Sequence, residues 1–393
     1  MLLSRRLIPA LVAPGLLALS LCLALALAPL AAANGNACPD AAPGQWQATD
    51  GTPLSTPALL SELATQRVVL LGEQHDRLAH HRWQLHTLAG LHAHQPDLVI
   101  GLEMLPREAQ PALDAWIAGE LDEAAFLEAS DWHRHWGFDP GLYLPILHFA
   151  RMHRIPLLAL NVTPALRQRL AGKGWDAVPS AERHAITPPA APPAAYREAL
   201  TEVFRAHSTG ADSEASLESF IAAQLVWDRA MATALAEASA PGRLVVGLMG
   251  QGHLRHGHGV PHQLYDLGIA AQLRLLPWSA ADCEAPPRDL ADALFLLGDE
   301  APFEPTAPPR LGLWVDGADD GVRVQGIGRD SLAEGLGLEV GDIILRAAGQ
   351  ALRRPSDLTA LVSRQPPGSL MPLEIRRDGS VWELLARFPS ASE

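Results

Sequence analysis

Six short apolar-rich runs constrain this chain most: Val68–Leu71, Leu98–Leu102, Ile155–Leu160, Leu244–Met249, Ala271–Leu276 and Ala293–Leu297. A brief apolar run without alternation suits a strand buried on both faces. Between the first two runs the period changes. Leu78, Leu85, Leu88 and Leu91 recur at helical spacing within Asp76–His94, with Asp76 as the expected N-cap. Alternating strands and helices predict an α/β domain, with a largely parallel sheet and helices on both faces. Val178–Ala195, which carries Pro-Pro twice, breaks that alternation and reads as a mobile loop or lid edge on a helical insertion.

The two ends differ from this middle. Arg5 and Arg6 precede an apolar stretch from Leu7 to Leu30 that closes in Ala31-Ala32-Ala33, the pattern of a secretory signal peptide over 1–33. Export across the inner membrane to the periplasm or envelope is expected. Leu21 before Cys22, and Gly35 three positions before Cys38, do not suit lipid attachment, so no lipid anchor is expected. Ala301–Pro309 holds four prolines, giving an interdomain linker at 301–310 after a first domain at 34–300. Residues 311–393 show strand runs around the turn Arg377-Asp378-Gly379, a small β-rich module.

A formal charge of −14 with no long Lys/Arg run argues against nucleic acid as a partner. With only 3 Cys the chain has neither a disulfide scaffold nor a Cys-based zinc fold. Signal cleavage removes Cys22, and an oxidising compartment favours a Cys38–Cys283 bridge. All 16 histidines lie between His75 and His262, which concentrates the chemistry in the first domain.

Ligands of parallel α/β sheets bind beyond the carboxyl ends of the strands. There this sequence places Glu73, His75, Glu103, Asn161 and His253. Two imidazoles and two carboxylates suit a metal or acid–base site; singly, each also suits a helix cap. Asp131-Trp132-His133-Arg134-His135-Trp136-Gly137-Phe138 interleaves rings with basic groups. Such a segment fits a flat aromatic ligand with acidic tails, or else a tryptophan-anchored packing corner.

Leu71-Gly-Glu-Gln-His-Asp76 with His80, His81 and Gln84 resembles the opening motif of the ChaN-like haem-binding proteins. So do Leu102-Glu103-Met104 with Arg107 and Gln110, the stretch from Asp131 through Tyr143 to Arg151, Gln224–Met231, and Gly250-Gln-Gly-His253. The resemblance spans about Pro53 to Gly298 in order. It implies a haem-binding protein of the cell envelope, serving iron acquisition or haem handling, with haem at the interface of a homodimer. His75, Tyr143 and His253 are then the candidate iron ligands, Arg107 and Arg134 the propionate partners, and Glu73 and Glu103 further pocket residues. The wider Tiki and erythromycin-esterase-like superfamily implies an alternative, a metal-dependent hydrolase with a divalent metal on Glu73, His75 and His253.

The tail is similar to a PDZ domain of the HtrA-protease type. The similarity rests on Arg310–Leu313, Gly321–Val324, Ser331–Glu334, Gly337-Leu338 and Gly341–Ile344. Leu311-Gly312-Leu313 would be its carboxylate-binding loop for peptide or protein C-termini. No glycine-flanked catalytic serine motif accompanies it, so the module implies binding, and a third expectation is an adaptor that acts through it.

Overall fold

The computed structural model describes residues 42–207, 214–280, 285–298, 309–363 and 365–390. The signal peptide, Cys38, Cys283 and most of the proline-rich linker lie outside the described residues. The chain forms two compact units. One is drawn from Met1–Gln74, Trp83–Asp131 and Ala150–Glu300, the other from His75–Arg82, Trp132–Phe149 and Ala301–Glu393.

All six apolar runs become strands. The first unit carries β1 (Trp46–Gln47), β2 (Pro53–Leu54), β3 (Val68–Glu73), β4 (Leu98–Pro106), β5 (Leu157–Asn161), β6 (Leu244–Gly250), β7 (Gln272–Ser279) and β8 (Ala293–Leu297). They make one sheet in the order β2-β1-β8-β7-β3-β6-β4-β5, with β8 through β5 parallel and β1 and β2 antiparallel at one edge. Every residue of β3, β4 and β6 is buried, the physical reason their sequences do not alternate.

β6 inserts between β3 and β4, so their carboxyl ends lie side by side, with Glu73 in register with Gly250. A Cβ on Gly72 would stand 2.2 Å from Leu276, so only glycine admits this packing. β4 runs four residues beyond the expected strand end, placing Glu103 inside the strand. The helix expected from Asp76 begins at Leu78.

Helix Glu214–Ala238 packs against β4, β5 and β6 and buries Val226, Ala230, Met231, Ala234 and Leu235. The proline-rich Val178–Ala195 is tied to this unit by side chains. Arg229 Nη2 donates to Thr187 Oγ1 at 2.6 Å, and the Gln263 amide pairs with both the N–H and the C=O of Ala190 at 2.8 and 3.1 Å. Proline removes backbone donors, so these side-chain bonds hold a segment that no ladder could. No helix among the described residues is long and apolar enough to cross a membrane.

Residues Ala301–Glu393 of the second unit form a six-stranded antiparallel sheet. Its strands are β9 (Leu313–Ala318), β10 (Gly321–Ile327), β11 (Ile343–Ala347), β12 (Gln350–Ala351), β13 (Leu370–Arg377) and β14 (Ser380–Arg387). The order is β14-β13-β11-β10-β9, with β12 paired to β11, which leaves β9 at an edge. Its core gathers Leu311, Val322, Val324, Ile344, Met371, Leu373, Ile375 and Phe388, among others.

Candidate functional site

In the first unit the polar residues behind the strand ends form one buried network. The turn Gln251–His253 leaves β6 and brings the His253 ring between two carboxylates. Its Nδ1–H donates to Asp228 Oδ1 at 2.6 Å, and Nε2 lies 3.4 Å from Glu103 Oε1. Glu103 Oε2 accepts the Gly250 N–H at 2.6 Å, and Asn161 Nδ2 donates to the Glu103 carbonyl at 3.1 Å. Tyr196 OH donates to Asp228 Oδ2 at 2.7 Å. The Trp227 ring stands edge-on to His253 at 4.9 Å, with the Arg167 guanidinium over its face.

Glu103 and Asp228 are fully buried and His253 is 6 % exposed, so charge balance decides what this network can do. Burial alone would push the imidazole down, but facing Glu103 and Asp228 outweigh it and raise its pKa to about 10. Burial raises Asp228, against the opposing pull of His253. Burial and then the Asp228 charge push the Tyr196 phenol up, so it stays a donor. His253 is thus an imidazolium at neutral pH, with both ring nitrogens turned to carboxylates. The network can hold a proton and pass it between Asp228 and Glu103.

Within the second unit the aromatic part of the sequence motif, Trp132–Phe138, closes on His75. The half-buried His75 ring stands edge-on to Trp136 at 4.6 Å and lies 5.1 Å from Phe138. Tyr143, buried at 2 % exposure, meets Trp132 at 5.4 Å, Trp136 at 6.1 Å and His81 at 4.3 Å. His81 Nε2–H donates to the His75 carbonyl at 3.1 Å, which fixes the backbone at His75. Trp132 is buried, and its indole N–H donates to the Phe138 carbonyl at 3.0 Å. The expected packing corner is therefore Trp132. Trp136 and Phe138 keep partly exposed rings beside His75, as a ligand wall requires.

The sequence-predicted residues separate into these two groups. Glu103 and His253 meet in the first unit, with Glu73 buried at the end of β3; His75 and Tyr143 belong to the aromatic group. Arg134 is exposed on the short helix Trp132–His135. Arg107 turns to helix Glu214–Ala238, donating to the Ala230 carbonyl at 3.3 Å and lying 3.6 Å from Glu237. Burial lowers its pKa, with Glu237 opposing. No group of three or more His, Cys, Asp or Glu among the described residues is arranged to hold a metal ion.

Sequence reasoning did not assign site roles to Asp228 and Tyr196. The available signal was Asp228 within Leu225-Val226-Trp227-Asp228-Arg229-Ala230-Met231, a carboxylate in a mostly apolar stretch of the helix.

A family described as haem-binding uptake, Tiki superfamily, ChaN matches residues 59–264, just over half of the chain, and a PDZ domain family matches residues 323–377. A solved structure described as cofacial heme binding to ChaN of Campylobacter jejuni is similar over 64 % of this chain and 95 % of that one, at 16 % identity and a TM-score of 0.52. This likeness establishes the shared fold. The HtrA-type protease AlgW with decapeptide is 26 % identical over 20 % of this chain and 28 % of its own, with a TM-score of 0.20. The HtrA3 PDZ domain bound to a phage-derived ligand is 24 % identical over 21 % of this chain and 84 % of its own, with a TM-score of 0.19. No curated protein matches the chain.

Proposed function

The chain belongs to the ChaN family of haem-binding uptake proteins in the Tiki superfamily, and from that premise we propose a cell-envelope haem-binding protein that serves iron acquisition or haem handling. The PDZ module captures peptide or protein C-termini. The carrying observation is the half-buried His75 ring set against Trp136 and Phe138. Rings at this spacing would wall a porphyrin, and an imidazole or a phenolate would supply a donor to ferric iron. His75 is the ligand we favour, with Tyr143 as the second donor of the same group. Arg134 serves the propionates.

The aromatic group also fits haem through a donor in need of an acceptor. The buried Trp136 Nε1 has no hydrogen-bond partner among the described residues, and a propionate oxygen would satisfy it. When bound, haem supplies the redox-active iron. The protein's part would be to pack against the ring, hold one donor for the iron and exclude water. A second copy of the chain covering the outer face of the porphyrin completes the proposal.

Titrating haem into the full chain tests this. A saturable Soret band at micromolar concentration is expected; its absence rejects the reading. The Asp228–His253–Glu103 network favours one alternative, hydrolysis with His253 as proton carrier. Turnover from an ester and peptide panel that disappears in His253→Gln would establish that reading.

A further inference from the structure

The edge of the PDZ sheet opposite β9 is β14, and among the described residues no strand pairs with its outer side. All eight residues of β14 pair with β13 without a shift in register, so no bulge bends the strand, and no proline interrupts it. Val381, Trp382 and Leu385 are exposed on it, Leu385 at 54 %. The other edge differs. The pairing of β9 with β10 shifts register between Val324 and Gly326, and helix Pro355–Ser363 packs against β9. A straight, partly apolar edge invites a further strand.

The hairpin turn fixes which backbone groups face outward. Asp378 and Gly379 have φ of +49° and +80°, the two-residue turn whose closing pair, Arg377 and Ser380, exchanges both hydrogen bonds. At the other end of the strand the Phe388 N–H donates to the Ser369 carbonyl at 3.0 Å. Backbone groups alternate along a strand, so the even-numbered residues from Ser380 to Phe388 turn toward β13. Val381, Glu383, Leu385 and Arg387 therefore turn their N–H and C=O groups to the free edge. Their side chains share one face of the sheet, and all four are exposed.

The charges in that row select the partner. Glu383 stands opposite Glu374 of β13, a like-charge pair, and Arg346 lies 4.0 Å from Glu374. Among the described residues neither Glu383 nor Arg387 makes an ion pair. When two β14 edges meet antiparallel about a two-fold axis, outward-turned residues must lie opposite each other. Only an axis at Leu385 sets Glu383 of each copy opposite Arg387 of the other, and it also sets Leu385 against Leu385. An axis at Glu383 would oppose two like charges. We propose that β14 is a self-association edge, on which two copies of this chain pair antiparallel about Leu385. This contact needs no haem, so it is separate from the haem-covering second copy, and it leaves β9 free for a chain end.

Sedimentation equilibrium of the full chain without haem, over about 1–100 μM, tests this. A concentration-dependent dimer is expected. Glu383→Arg and Arg387→Glu should each weaken it about 10- to 100-fold, because each turns two attractive contacts per dimer into two repulsive ones. The double variant carrying both Glu383→Arg and Arg387→Glu should return to within about threefold of the parent, since exchanged charges keep the same register. Glu383→Arg also removes the like-charge pair with Glu374, so the module should keep its fold, and circular dichroism checks each variant. A parent that stays monomeric throughout overturns the proposal. So do single variants that dimerise like the parent, or a double variant as weak as the single ones.

Discussion

His253 and His75 follow strand ends in one chain yet sit in opposite environments. His253 is 6 % exposed, clamped between Asp228 and Glu103 and held as an imidazolium. His75 is half-buried and packed on aromatic rings. A histidine locked by carboxylates stores charge and stabilises the fold around it. A histidine walled by rings presents an imidazole to a flat ligand. The same residue type is thus clamped by carboxylates in one unit and, as proposed, serves haem in the other.

That contrast breaks most readily at His253. His253→Ala would leave two buried carboxylates facing each other without their cation, and the expected cost is about 3–5 kcal/mol of stability. Denaturant unfolding measures it. A loss below about 1 kcal/mol would mean that the network does not support the first unit. The pH dependence follows from the raised pKa. The stabilisation from His253 should be complete below its ordinary value of 6.5 and disappear as pH rises through about 10. Parent unfolding followed from pH 6 to 10 should show this decline, and His253→Gln should flatten it.

Arg229 offers a smaller effect in the same unit. It joins Asp266 at 2.6 Å and Thr187 at 2.6 Å, so Arg229→Met should cost about 2–3 kcal/mol. It should also open Val178–Ala195 to limited proteolysis. Unchanged cleavage there would show that the segment is held without Arg229. The smallest stability change is expected at His75. His75→Ala should shift stability by under about 1 kcal/mol, because the ring is only half-buried, while weakening haem binding.

Much of the sheet was legible because a doubly buried strand leaves no polar face, and the runs of β3, β4 and β6 record that burial directly. The PDZ module was legible through its glycines, Gly312 above all, where backbone geometry admits no other residue. The different surroundings of His75 and His253 were not legible. Each ring's surroundings come from residues far along the chain, Trp136 for one and Asp228 for the other, and one sequence carries no record of those meetings. Asp228 was hidden for a second reason: within a helix, a lone Asp reads as a solvated face until the neighbouring elements are in place. The hold on Val178–Ala195 was equally invisible, because it comes from Arg229 and Gln263, side chains with no periodic signature.

Absorption titration of haem into the parent, His75→Ala and Tyr143→Phe tests the central claim most directly, with circular dichroism showing that each variant is folded. Saturable binding by the parent is predicted, with affinity reduced about tenfold or the Soret band displaced in at least one of the two variants. Parent-like spectra and affinities in both variants would contradict the assignment of haem to the aromatic group.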